Sequence, residues 1–305
     1  MSQTAQHTDF ILPFQIADTA VRGRMVRLSG SIDEILSAHA FPDPLSELIG
    51  EATALVAMMG AALKFDGKLI FQAQGDGPAS LVVADYSAGG ALRATAKAER
   101  TDNLPKGAAA LLGKGSIVMT IDQGADMDRY QGVTGIEGET LAEAAVSYFK
   151  QSEQIPTVIK LAVGRIQEPG QKEQWRAGGI MAQFVPGEGG TRERGEAVLL
   201  DSEEQEIWDR SRAFIETTQD DELLDPSIDA ETLLYRLFHE DGVRAFDPQP
   251  LRAECSCEME KVSAVLARYS KEELSDMVED DAINVTCEFC RQTYRFTPEG
   301  TPIAS

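Results

Sequence analysis

Glu254-Cys255-Ser256-Cys257-Glu258 and Thr286-Cys287-Glu288-Phe289-Cys290-Arg291 contain every cysteine of this 305-residue chain, two close pairs separated by 29 residues. Residues 1–254 hold none. Cysteines scattered through a core do not cluster this way. The pattern suits a four-thiolate metal site, a pair of redox couples, or both. Zn²⁺ takes four ligands in a tetrahedron, with sulfur at about 2.3 Å. C-x-x-C on a tight knuckle presents two sulfurs to one ion, and residues two apart on an extended segment share a face. Cys255, Cys257, Cys287 and Cys290 are therefore the candidate ligands of one Zn²⁺.

The sequence around the pairs predicts a small C-terminal unit, residues 251–305. Ser270 with Glu273 three residues on is a capping-box signature that opens a helix. Ile283-Asn284-Val285 alternates into Cys287, and Thr293 to Phe296 alternates out of Cys290, which reads as strand, knuckle, strand. So short a unit holds little core of its own, so a bound metal supplies most of its folding energy. Each cysteine pair is close enough in sequence to form its own disulfide. Oxidation would then eject the metal and unfold a unit that depends on it. Glu258 and Glu260 follow the first pair, and nearby carboxylates disfavour a thiolate.

Upstream, residues 191–250 read as an acidic helical linker. Residues 201–250 carry 15 acidic and 4 basic side chains, half of the chain's formal net charge of -22. Ile207, Trp208, Ser211, Phe214 and Ile215 share one helical face, and Leu233, Leu234, Leu237 and Phe238 another. Asp220-Asp221-Glu222 and Asp225-Pro226 separate the two. Helices this short are marginal alone, so they hold together by packing the apolar face on another element. If that support melts, apolar surface appears. The Gly-rich, charged run Pro186 to Gly195 reads as a domain boundary.

Residues 1–190 read as a single N-terminal α+β domain. Strands are expected at Phe10–Leu12, Met25–Leu28, Leu69–Gln74, Leu81–Tyr86, Ala91–Ala96, Ser116–Ile121, Arg129–Gly135, Thr157–Val163 and Gly178–Phe184. Ser31 to Leu63 reads as helix interrupted at Pro42 and Pro44, and Thr140 to Phe149 as a short helix. Strands in runs, punctuated by helices, favour α+β over a doubly wound sheet. Gly75-Asp76-Gly77-Pro78 is a turn and lacks the third glycine of a dinucleotide fingerprint. Gly113-Lys114-Gly115-Ser116 is not a P-loop, because Lys114 is not followed by Ser or Thr. His7, His39 and His239 are the only histidines, and His239, beside Phe238, reads as packing or surface. Met58, Met59, Met119 and Met181 read as core filling. Nothing points to an enzyme. So acidic a chain is a poor match for nucleic-acid phosphates. No run of 18 apolar residues or secretory signal is present, so the expectation is a cytoplasmic protein whose thiols stay reduced.

Across nearly the whole chain, in order, further motifs resemble one family. They are Gln72-Ala73-Gln74-Gly75-Asp76-Gly77-Pro78, Arg129-Tyr130-Gln131-Gly132, the run from Tyr148 through Ser152-Glu153-Gln154 to Thr157, and Gly178-Gly179-Ile180-Met181-Ala182-Gln183. Leu234-Tyr235-Arg236-Leu237-Phe238-His239-Glu240 and the two cysteine pairs complete the set. The chain resembles the redox-regulated heat-shock holdases called 33 kDa chaperonins. The resemblance implies a reduced, zinc-bound, inactive monomer. It implies that oxidation forms Cys255–Cys257 and Cys287–Cys290 disulfides, releases zinc and unfolds the linker. A homodimer would then hold unfolding client proteins without ATP under oxidative stress. The rival readings are a constitutive zinc-ribbon adaptor with purely structural thiols and, more weakly, a thiol oxidoreductase using Cys287 and Cys290.

Overall fold

The computed structural model describes residues 8–62, 67–99, 101–124, 127, 129–185 and 200–303, and divides into two compact units, Met1–Ala253 and Glu254–Ser305. The Pro186–Gly195 run lies outside the described residues.

The first unit is α+β and holds two sheets. Strands β1 (Phe10–Ile16) and β2 (Val21–Leu28) precede helices α1 (Gly30–Ser37) and α2 (Asp43–Gly60). A meander follows: β3 (Lys68–Gly75), β4 (Ala79–Ser87), β5 (Ala91–Ala98), helix α3 (Ala108–Leu112), β6 (Gly115–Asp122) and β7 (Tyr130–Gly135). Helix α4 (Leu141–Tyr148) runs into a π-helical turn, Phe149–Glu153, before β8 (Thr157–Ile166) and β9 (Gln174–Phe184). Helices α5 (Ser202–Thr217), α6 (Asp220–Leu224) and α7 (Ala230–Phe238) come next, then three short strands, β10 (Val243–Ala245), β11 (Gln249–Pro250) and β12 (Arg252–Ala253).

Sheet A has the order β10-β1-β2-β9-β8, with β11 also on β1; sheet B has the order β12-β5-β4-β3-β6-β7. All of these pairs are antiparallel except β12 on β5. Sheet A is apolar on both faces. The β2 residues Val26 and Leu28 join the main core with α1, α2 and sheet B, where Met58, Met119 and Met181 are buried as the sequence suggests. Val21 and Met25, on the opposite face, join a second core with Leu12, Phe14, Val158 and Ile180. That outer face is covered by α5, α6 and α7 through Trp208, Ile215, Leu223, Leu224, Leu233, Leu234 and Phe238.

Three local differences from the sequence reading have physical causes. Pro44 does not interrupt α2; it sits in the first turn, where its missing N–H costs nothing. Asp220-Asp221-Glu222 is not a spacer but the opening of α6. Gln219 and Glu222 form a capping box, three acids sit at the positive end of the helix dipole, and Leu223 and Leu224 are buried. The strands β10 to β12 carry too few residues for a periodic signal, and their pairing with β1 and β5 is a tertiary matter. The Gly75-Asp76-Gly77 turn and the Gly113-Lys114-Gly115 turn clasp each other: the Lys114 amide donates to Asp76 Oδ1 (2.7 Å) and the Asp76 amide donates to the Lys114 carbonyl (3.0 Å).

The second unit contains α8 (Met259–Leu266), α9 (Lys271–Asp276) and a three-stranded sheet of β13 (Val278–Glu279), β14 (Ala282–Thr286) and β15 (Thr293–Phe296). Ser270 and Glu273 form the expected capping box at α9.

Candidate metal centre

The four cysteines come from two places in the second unit. Cys255 and Cys257 lie on the extended segment that leads into α8; Cys287 and Cys290 lie on the turn between β14 and β15. The turn is a knuckle. The Cys287 amide donates to the Gln292 carbonyl (2.9 Å), and the Arg291 amide donates back to the Cys287 carbonyl (3.0 Å). Arg291 takes a left-handed conformation, with φ of 61°, to close it. Thr286 and Thr293 share a hydroxyl hydrogen bond of 2.9 Å at its base. The register of β14 on β15 sets Ile283 opposite Phe296, and both are buried in a core completed by Leu266 and Leu274.

The sulfurs converge. Cys255 Sγ lies 3.7 Å from Cys287 Sγ, and Cys257 Sγ lies 3.3 Å from Cys290 Sγ. All four Sγ atoms fall within 4.8 Å of one another, and all four are free thiols. A tetrahedral site with Zn–S of about 2.3 Å has edges of about 3.8 Å. The donor set therefore fits a cation that takes four soft ligands. Each cysteine is half-buried, so the site is shielded without being sealed. Among the described residues, this is the one cluster of histidine, cysteine or carboxylate groups able to hold a metal ion.

The thiols are not equivalent. Burial works against a Cys257 thiolate, but hydrogen bonds from Tyr294 (hydroxyl to Sγ, 3.3 Å) and from the Cys290, Cys255 and Cys287 thiols outweigh it and bring Cys257 down to about 7. Burial and the hydrogen bonds to Cys257 and Cys255 push Cys290 up to about 12. Cys255 is also raised, by burial first. Tyr294 is raised because its proton is held on the Cys257 sulfur. Glu258 and Glu260 are not among the leading influences on Cys257; Glu258 instead pairs with Lys261 at 3.3 Å. The sequence reading missed the role of Tyr294. The signal was present in the alternation of β15, which places Tyr294 on the same side as buried Phe296.

The other residues singled out from the sequence lie elsewhere. His239 is exposed, with Nδ1 3.3 Å from the Arg236 carbonyl and its ring beside Tyr235. Glu153, in the π-helical turn, accepts a hydrogen bond from the Tyr130 hydroxyl at 3.2 Å. Among the described residues, no helix is long and apolar enough to cross a membrane.

Two sheets, acidic helices over one sheet face and a terminal module with four cysteines placed to hold a metal ion define a two-unit protein. Residues 9–297 match the model of the family described as Hsp33 protein. The 33 kDa chaperonin of Caulobacter vibrioides (strain NA1000 / CB15N) is 48% identical over 300 residues, spanning 96% of each chain. That of Pseudomonas paraeruginosa (strain DSM 24068 / PA7) is 35% identical over 295 residues, 95% of this chain and 92% of that protein. The crystal structure of the 33 kDa chaperonin from Thermotoga maritima has the same fold, with a TM-score of 0.77, 23% identity and 96% coverage of each chain. The chain belongs to the Hsp33 family and is a chaperone, not an enzyme.

Proposed function

We propose that this chaperone is a redox-regulated, ATP-independent holdase in which Cys255, Cys257, Cys287 and Cys290 are both the Zn²⁺ ligands and the redox switch. The observation that carries the reading is the convergence of all four sulfurs within 4.8 Å in a unit with five buried apolar residues among those described. When bound, Zn²⁺ supplies the cross-link and the charge that hold four thiolates together. Tyr294 donates its hydroxyl to the Cys257 sulfur at 3.3 Å and so steadies that thiolate. Disulfides Cys255–Cys257 and Cys287–Cys290 take four electrons from four thiolates, delivered to two equivalents of a two-electron oxidant such as a peroxide. Sulfurs tied in disulfides no longer ligate, so zinc leaves and the small unit loses its main support.

Chain connectivity couples that event to the first unit. Cys255 follows β12 by one residue, and β10, β11 and β12 lie directly behind α7 in sequence. Loosening residues 243–253 removes the anchor at the C-terminal end of α5 to α7. Those helices carry strong like charge and stay folded by packing. Their departure uncovers Leu12, Phe14, Ile16, Val21, Met25, Val158, Ile180 and Phe184 on sheet A. This apolar face is the surface that would hold unfolding clients, and in the oxidised state it would be shared by a homodimer. The reduced, covered state is a monomer. The acidic chain has no place for nucleic acid or membrane in this scheme, and its compartment is the cytoplasm.

The test is zinc release, followed with a colorimetric chelator during oxidant treatment, alongside light scattering of a heat-denaturing client. The expected result is stoichiometric release with suppressed aggregation, both reversed by reductant. Retained zinc with unchanged client aggregation would leave a constitutive zinc module with purely structural thiols.

A further inference from the structure

The outer face of sheet A is not uniformly apolar beneath α6. Its floor at this point is Ala162 and Gly164 of β8, Gly178 of β9 and Arg27 of β2, with Ala162 opposite Gly178 and Gly178 opposite Arg27 in register. The two glycines let a helix backbone approach. A Cβ on Gly178 would stand 2.7 Å from the Leu223 carbonyl oxygen, and one on Gly164 would stand 3.3 Å from Leu224 Cδ1. Two cations flank this floor. Lys160 Nζ lies 2.8 Å from Asp220 Oδ1 at the start of α6. Arg27 donates from Nη1 to the Asp225 carbonyl (2.8 Å) and from Nη2 to the Glu222 carbonyl (2.9 Å) at its end. The Nε of Arg27 is buried with no acceptor. The slot thus reads one short pattern in its own chain: carboxylates, two adjacent leucines, and the free carbonyls of a helix end.

From this we infer that the slot floored by Gly164 and Gly178 and flanked by Lys160 and Arg27 gives the client-holding face a preference for apolar client segments preceded by acidic residues. The occupant is an unfolding polypeptide segment with two neighbouring large apolar side chains and carboxylates within one helical turn before them. Leu223 and Leu224 mark where its apolar pair sits, and Asp220 marks where its carboxylate meets Lys160. Arg176, paired with Glu168 at 2.9 Å, adds its positive charge near Arg27 and Asp225. A basic client segment of equal hydrophobicity meets Lys160 and Arg27 as like charges. The inference rests on the proposed function, since the slot is open only when α6 has left.

The test uses the full-length protein, oxidised and zinc-free, and two fluorescent peptides. One has the sequence of residues 219–228. The other replaces each Asp and Glu in it with Lys. Fluorescence anisotropy should show the acidic peptide binding roughly five- to tenfold more tightly at low salt, converging with the basic one as salt rises. Lys160→Glu, a change at a partly exposed position, should reverse the order of the two peptides; Arg27→Gln should narrow the gap. Equal affinities for both peptides, unmoved by salt or by Lys160→Glu, overturn the inference while leaving a purely apolar holdase face intact. Binding of neither peptide, together with no suppression of client aggregation, overturns the proposed function and this inference with it. Binding of neither peptide by a protein that does suppress aggregation overturns this inference alone.

Discussion

Sheet A is covered by helix on both faces, and the two covers are built on different terms. On the inner side, 13 of the 18 residues of α2 are buried, including Leu45, Leu48, Ile49, Leu55, Val56 and Met58. On the outer side, α5 buries Trp208, Ser211 and Ile215 out of 16 residues and shows acid to solvent elsewhere. A helix apolar nearly all round has no stable existence away from its core. A helix with a narrow apolar stripe and repelling charges is stable only while docked, yet it stays soluble when released. The inner cover is therefore part of the fold, whereas the outer cover is, in the proposed scheme, a detachable occupant of it. The small unit stands further along the same scale, with five buried apolar residues among those described and four thiols in place of a larger core.

The largest test of this contrast places a carboxylate under each cover. Leu55 and Leu233 are both fully buried, so either Asp would be unpaired and cost several kcal/mol, on the order of 3 or more. Leu55→Asp should abolish the cooperative thermal transition of the first unit by circular dichroism. Leu233→Asp should keep that transition and raise binding of a hydrophobic dye in reductant. Equal collapse of both variants would erase the distinction.

Cys287→Ser should unfold residues 254–305 under reducing conditions, since one missing thiolate breaks the four-ligand set. Amide spectra should lose the dispersed signals of that unit, and a variant that kept its zinc would break the dependence of the unit on its thiols. Phe238→Ala acts on the outer cover alone. Its ring sits between Phe14 (5.8 Å) and Phe214 (6.2 Å) and is fully buried. The loss should be about 3–5 kcal/mol, read as faster hydrogen exchange across α5 to α7 with α2 unchanged.

A smaller effect follows pH. Glu51 of α2 sits where the two covers meet. Burial, then the charges of Glu47 and Asp220, raise it from 4.5 to about 7, opposed by Lys160. A raised carboxyl contributes stability that is fully present below pH 4.5 and is lost as pH rises through about 7. Docking of α6 should therefore weaken as pH rises from about 4.5 to about 7, and Glu51→Gln should remove that dependence in hydrogen exchange.

The legible parts of this molecule were those written in local pattern. The nine long strands, α2 and the Ser270 cap carry their periodicity and capping chemistry in adjacent residues. The four cysteines announce a shared site because two tight pairs have few other uses. What could not be read is contact at a distance. Arg27 in a strand resembles any surface arginine until α6 places two carbonyls above it. The run Asp220-Asp221-Glu222 resembles a spacer until its cap and Leu223 and Leu224 make it a helix. Tyr294 is one alternating residue of β15 until the chain brings Cys257 to its hydroxyl.

The stretch from Val243 to Ala253 has a consequence for timing. It is laid on two sheets at once: β10 and β11 on β1, and β12 on β5, where Arg252 meets Ala91 and Ala253 meets Leu92. Contacts between residues so distant in sequence form late, because a long loop must close before any of them is made. Letting go of such a seam takes a local loss, while restitching it takes both sheets in place and the chain threaded back in order. In the proposed scheme, departure of the cover would therefore carry hysteresis. Thiols would return and metal would rebind on the timescale of chemistry, while the apolar face would stay available for an interval set by topology. The chain would keep a memory of the oxidant after the oxidant had gone.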